Sequence, residues 1–207
     1  MTPDELQAAR DHVVPDVVAG GLRVLFCGIN PSLMTAATGH HFAHPGNRFW
    51  PVLHRSGFTP SQLKPSQQDQ LPRYGLGITN VVARPTARAD ELGAEEFRVG
   101  GRVLSAKVER LGPSWLAVVG VTAYRKAFSE RRARIGPQER VIGGARVWVL
   151  PNPSGLNAHW TTDTMAEEYA RLRSAVYPAS SSEQRDDDPG TAHDGGSRSG
   201  RRPLPGG

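Results

Sequence analysis

Four short runs of the chain are dominated by apolar, β-branched and aromatic residues: Leu22–Cys27, Leu76–Val82, Trp115–Val119 and Val147–Leu150. Runs of this length without polar alternation predict strands buried on both faces. The intervening segments change to helical spacing. Over 95–111, Leu104, Val108 and Leu111 share one face; a second helix is expected over 122–132; over 164–176, Met165, Tyr169, Leu172 and Val176 share a face, and Thr164 with Glu167 reads as a capping box. Phe49 and Trp50 are expected as core residues at the start of a further helix. Strands separated by helix-length crossovers predict an α/β fold, with a central, mainly parallel sheet and helices on both faces.

The apolar pattern stops at Pro178. Residues 179–207 are Ser, Asp, Gly, Arg and Pro with Leu204 as the one large apolar residue, too little to offset the entropy of ordering. The expectation is a disordered tail over 179–207, one folded domain over 18–178 and an extension over 1–17. No run approaches the roughly 18 apolar residues of a membrane span, and Met1–Arg10, carrying Asp4 and Glu5, does not read as a secretory signal. A lone cysteine, Cys27, excludes an internal disulfide and a cysteine metal cluster. These features predict a soluble, cytoplasmic protein. The net charge of +5 becomes about +6 on the body once the tail's four arginines and five carboxylates are set aside, which fits a polyanionic partner such as nucleic acid.

In open α/β sheets, ligands bind beyond the carboxyl ends of the strands. The residues there are Gly28-Ile29-Asn30-Pro31-Ser32 after the first run, Thr79-Asn80 in the second, and Pro151-Asn152-Pro153-Ser154-Gly155-Leu156-Asn157 after the fourth. Carboxylates, histidines and lysines are missing from them, so any chemistry runs on amides, backbone groups and water. An asparagine can accept a hydrogen bond from a water while donating elsewhere, and Pro31 stiffens the turn that carries Asn30. Taken alone, Asn30-Pro31 is equally ordinary turn chemistry.

Two further segments stand out. His40-His41-Phe42-Ala43-His44 holds three histidines, but no third ligand type stands near His41 and His44, so a metal is not expected. Phe42 is instead a candidate for stacking on a flat ligand. Leu156 lies in a loop of Pro, Ser and Gly, where it either projects as a wedge between stacked bases or folds back against Trp160.

In combination the motifs are far more specific. Gly28-Ile29-Asn30-Pro31, then Phe42-Ala43-His44-Pro45, Asn47-Arg48-Phe49-Trp50, Arg84-Pro85-Thr86 and Asn152-Pro153-Ser154-Gly155-Leu156 resemble, in order over residues 18–177, the mismatch-specific uracil-DNA glycosylase and thymine-DNA glycosylase family. The resemblance implies a three-layer α/β/α glycosylase domain over 18–178 that acts as a monomer without cofactor or metal on double-stranded DNA containing G·U or related mismatches. It also implies that a damaged or mismatched pyrimidine is flipped out and its N-glycosidic bond hydrolysed. Carried over by residue, Asn30 positions the attacking water and Phe42 stacks on the flipped base. The backbone at Ile29 and Phe42 reads the base edge, with Thr35 and Asn80 beside it. Leu156 fills the vacated stack with Gly155 and Asn157 near the widowed guanine, and Asn152 and Ser154 support the loop.

The sequence departs from the family pattern at Ser32, where many relatives have glycine, and at Ala158, where a bacterial relative has arginine; at Asn80 that bacterial branch has lysine and the thymine-processing branch asparagine. A non-catalytic DNA-binding module would account for the basic body and Leu156 but not for Asn30 and Phe42 together. A nucleotide-binding enzyme would need a G-x-G-x-x-G loop, which Gly28–Ser32 does not provide.

Overall fold

The four apolar runs form the centre of a single five-stranded sheet. In the computed structural model, which describes residues 1–178, the strands are β1 (Val24–Gly28), β2 (Leu76–Asn80), β3 (Trp115–Val119), β4 (Gly136–Ile142) and β5 (Ala145–Leu150), in the order β2-β1-β3-β5-β4. The β2, β1, β3 and β5 ladders are parallel; β4 runs antiparallel to β5 at the edge. The tail expected over 179–207 lies outside the described residues.

Alternation along the strands sends side chains into two separate cores. Val24, Phe26, Ile78, Ala117 and Leu150 meet α3 (Phe49–Arg55) and α6 (Thr162–Val176), with α1 (Pro3–Ala8) and α2 (Leu33–Thr38) lying earlier in the chain. Leu25, Cys27, Val118 and Val149 meet α4 (Ala94–Leu111) and α5 (Val121–Phe128) on the opposite face. This is the three-layer α/β/α arrangement. Among the described residues, no helix is long and apolar enough to cross a membrane.

Three local expectations are corrected. β4 was not expected as a strand: its sequence GPQERVI is largely exposed, since an edge strand of this sheet buries little and carries no apolar run. It is joined to β5 through Gly143 and Gly144, both at positive φ (55° and 85°), as a tight hairpin requires. A Cβ on Gly143 would lie 2.6 Å from backbone atoms of α4. The helix expected to run to Arg132 ends at Phe128, where Ser129 adopts the left-handed conformation. The last helix begins two residues earlier than expected, because Thr161 and Thr164, rather than Thr164 and Glu167, exchange the capping hydrogen bonds.

Residues before β1 pack onto the sheet. Val17 pairs with Ile78 through both backbone bonds, Asp16 accepts from the Thr79 hydroxyl at 2.7 Å and pairs with Lys107 at 2.6 Å.

From its carboxyl end β1 continues through α3 on one face to its neighbour β2, whereas β3 continues through α5 on the other face towards β4 and β5, so the connections leaving these two adjacent strands diverge. That divergence opens a crevice at the carboxyl ends of β1 and β3. Gly100 and Gly101 bring α4 close enough to close this layer: a Cβ would meet the Val81 carbonyl oxygen at 2.2 Å and the Ala127 carbonyl oxygen at 2.3 Å, respectively. Replacing Gly101 by Ala is expected to lower stability by about 2–3 kcal/mol, although alanine is the better helix former by about 1 kcal/mol, because the clash is with backbone. Urea unfolding measures this; an unchanged midpoint would show that α4 moves freely.

Candidate active site at the strand ends

The crevice is a cleft of about 340 Å³ whose lining includes Gly28, Ile29, Asn30, Thr35, Phe42, Asn80, Asn152, Ser154, Gly155 and Leu156. Most of the residues predicted from sequence are thus brought to one place from four chain segments; Asn157 lies in the neighbouring groove, which shares Asn152, Ser154 and Leu156 with the cleft.

Asn30 is held by its nitrogen. The Asn30 Nδ2 group donates to the Thr86 hydroxyl at 2.8 Å, the Arg84 carbonyl at 2.9 Å and the Pro31 carbonyl at 3.2 Å. An amide with its donors so engaged turns Oδ1 the other way, leaving an acceptor for a ligand or water. The 84–86 segment that holds it is itself tied down: the Arg84 guanidinium grips Glu96 at the start of α4 through two bonds of 2.8 and 3.1 Å, and the Thr86 amide donates to the Pro31 carbonyl at 3.1 Å. The hydrogen bond from Arg84 pulls the Glu96 carboxyl down to about 2, so the pair stays charged in all but strong acid. Ser32, the departure from glycine, has a local use. Its hydroxyl caps α2 by accepting from the Thr35 amide at 3.1 Å, and it also donates to the Thr35 hydroxyl, burying that residue against the cleft.

Phe42 is the one non-glycine cleft residue at positive φ, 54°, a conformation costly for a bulky side chain and held only where surroundings over-determine it. The surroundings here are specific. Phe42 stacks on Phe49 with ring centroids 4.0 Å apart and 19° between planes. On the preceding residue, the His41 amide donates to Gln68 Oε1 and the His41 carbonyl accepts from Trp50 Nε1. Across the cleft floor the ring edge approaches Gly28, where a Cβ would stand 3.4 Å from Phe42 and 2.6 Å from Asn80 Oδ1. Only glycine leaves this floor open.

His41 is buried, and burial lowers its pKa, so the ring is neutral. Its Nε2 lies 2.9 Å from the Pro15 carbonyl, which assigns the proton to Nε2 and makes Nδ1 an acceptor, 3.5 Å from Asn80 Nδ2. The Asn80 amide is thereby oriented with Oδ1 toward Gly28 and the cleft. His44 also lines the cleft, with its Nδ1 accepting from the Gly46 amide at 3.1 Å.

The third wall is the 152–157 loop. Asn152 Oδ1 accepts from the Ser154 amide at 3.1 Å and the Asn152 carbonyl accepts from Asn157 Nδ2 at 2.9 Å, while the Leu156 amide donates to the Ser154 hydroxyl. Leu156 at the apex is 93 % exposed, so it projects rather than folding back against Trp160, whose ring packs onto the α3–α6 core. Gly155 lies flat on the neighbouring turn, where a Cβ would come within 2.7 Å of the Gly46 carbonyl oxygen.

Four supporting residues were not assigned roles from sequence: Thr86, His41, Gln68 and Arg48. Thr86, His41 and Arg48 lie in segments that stand out in the sequence and Gln68 does not; the partners that hold these four are from 26 to 112 residues distant, and nothing in the local pattern indicates them.

Residues 15–173 match the family model of the uracil DNA glycosylase superfamily. Among solved structures, the chain is similar to the solution NMR structure of a candidate uracil DNA glycosylase from Methanosarcina acetivorans, at 20% identity over 78% of this chain and 98% of that one, with a TM-score of 0.52. That likeness concerns the fold. A family match spanning the whole sheet, both helical layers and every segment of the cleft shows that this chain belongs to the uracil DNA glycosylase superfamily, whose membership implies a hydrolase of N-glycosyl bonds acting on DNA.

Proposed function

We propose that the protein is a monofunctional, mismatch-specific DNA glycosylase. It flips uracil, and other modified pyrimidines including thymine, out of double-stranded DNA into the cleft and hydrolyses the N-glycosidic bond, initiating base excision repair. The observation that carries this reading is the Asn30 amide, its donors engaged by Thr86 and Arg84 and its oxygen left for the cleft, opposite Phe42.

In this mechanism Asn30 Oδ1 accepts a hydrogen bond from a water and aims its lone pair at C1′ of the deoxyribose. The C1′–N1 bond breaks with its electron pair leaving on the base, so that negative charge gathers on O2 and O4 while the sugar becomes oxocarbenium-like. Water then adds to C1′ and its proton passes to solvent. Backbone donors at Ile29 and Phe42 face that anion; a preorganised donor of this kind contributes about 3–4 kcal/mol to the transition state. An amide assists water less than a carboxylate base would, so the reading implies a slow enzyme that favours good leaving groups and weakened pairs. Mismatches such as G·U and G·T cost less to open, which adds selectivity.

Asn80 presents Oδ1 to the cleft and suits the N3–H common to uracil and thymine. Asn80→Ala is expected to slow uracil release about tenfold, and Asn80→Lys to shift the relative rates on G·U, A·U, single-stranded U and G·T by more than twofold, because a fixed cation replaces an adaptable amide. Single-turnover kinetics on the four substrates check this; ratios all within twofold would make position 80 structural. For the activity itself, incubation with an end-labelled G·U duplex followed by hot alkali is expected to give strand scission at the uracil. Binding without scission would support a DNA-binding module instead.

A further inference from the structure

We propose that Arg48 is the positioning residue that holds the 153–160 loop in its projecting form, so that one side chain couples the wedge to the base-stacking platform. The inference rests on the reading of Leu156 as a wedge.

The Arg48 amide donates to the Pro153 carbonyl at 2.9 Å. Its guanidinium then collects three further carbonyls: Nη2 donates to Ser154 at 2.8 Å and to Asn157 at 2.9 Å, and Nη1 donates to Trp160. Four oxygens spread over eight residues of chain are thus gathered at one point. Holding Ser154 and Asn157 at one point and Gly155 against the Gly46 turn leaves the residue between them, Leu156, to project, and it is 93 % exposed at that apex. A planar fork suits this task, because its donors diverge at fixed angles; a lysine ammonium is a single point and cannot span three carbonyls.

Arg48 is also well placed to relay this order. Asn47 Oδ1 accepts from the Phe49 amide at 2.9 Å, so Arg48 sits in a fixed turn at the start of α3. The next residue is Phe49, whose ring supports Phe42 at 4.0 Å. The guanidinium pairs with no carboxylate among the described residues within salt-bridge distance. Its charge is directed into the loop's backbone rather than into an ion pair.

The test uses Arg48→Ala, Arg48→Lys, Leu156→Ala and the Arg48→Ala/Leu156→Ala double variant of the full chain. In the DNA-free protein, proteolytic nicking within 154–159 is expected to rise at least tenfold in both Arg48 variants and not in Leu156→Ala. On G·U duplex, single-turnover rates of both Arg48 variants are expected to fall about 5- to 30-fold and no further than Leu156→Ala, with less than threefold loss on single-stranded U, and the double variant should be no slower than Leu156→Ala alone. The salt dependence of binding should keep its slope, since a phosphate contact would lower it by about one. Full rescue by lysine, additive losses in the double variant, or unchanged nicking would each overturn the proposal. If Arg48→Ala does not fold, Arg48→Lys carries the same three readouts. Failure of the wedge reading is recognisable separately: Leu156→Ala would then lose equally on duplex and single strand, while the nicking result still decides what Arg48 does.

Discussion

Asn30→Ala is expected to reduce single-turnover release of uracil from a G·U duplex by about 10³-fold or more, while the dissociation constant for that duplex changes less than threefold. The size follows from losing a water held in line with C1′, an effect of the same order as removing one preorganised group from a transition state, or about 4 kcal/mol of barrier. Binding is spared because Asn30 spends its donors on Thr86 and Arg84 rather than on any outward contact. The same geometry makes a second variant informative. Thr86→Val removes the 2.8 Å acceptor without touching Asn30, so a partial loss of about tenfold is expected as the amide gains freedom to turn. A wild-type rate in Asn30→Ala would remove this residue from the mechanism, and a wild-type rate in Thr86→Val would show that the amide needs no orienting partner.

Leu156→Ala is expected to slow uracil release from paired duplex about 5- to 30-fold while changing the rate on single-stranded U by less than threefold. In the free protein the side chain is almost wholly in water. Inserted between bases it would bury that surface, and burying a leucine contributes about 1.5–3 kcal/mol, of which alanine retains a fraction. A loss of about 1–2 kcal/mol corresponds to the stated factor, and it applies only where there is a stack to fill. Rates and binding on both substrates check it; equal losses would show a general surface contact.

Both expectations depend on features of unequal visibility. Trp115–Val119 is a strand with the bounds its apolar run predicts, while the strands at the Leu76–Val82 and Val147–Leu150 runs, Leu76–Asn80 and Ala145–Leu150, differ from them by two residues at one end. A buried parallel strand must be apolar on both faces, so its signal is local. The β4 edge offered no such signal, because Gln138 and Val141 pair with β5 through backbone atoms, Glu139 and Arg140 fall in the irregularity between them, and the side chains of 139–141 stay in solvent. The same contrast holds in the cleft. The positions of Asn30, Phe42, Asn80 and Leu156 were readable from motif order and from their place after strands, whereas the partners that give each its working geometry were not.

The layered α/β scaffold and the inventory of amides, aromatic and loop leucine at its strand ends are therefore legible in the chain, since periodicity and strand-end position are properties of neighbouring residues. The direction in which those groups face comes from the packed fold. The rotation of the Asn30 amide is set by Thr86, 56 positions away, that of Asn80 by a histidine whose proton is assigned by Pro15, and the projection of Leu156 accompanies a guanidinium more than a hundred positions earlier. Side-chain hydrogen bonds have no sequence period, so the orientation of a polar group becomes definite only when the sheet brings its distant donors and acceptors within 3 Å of it.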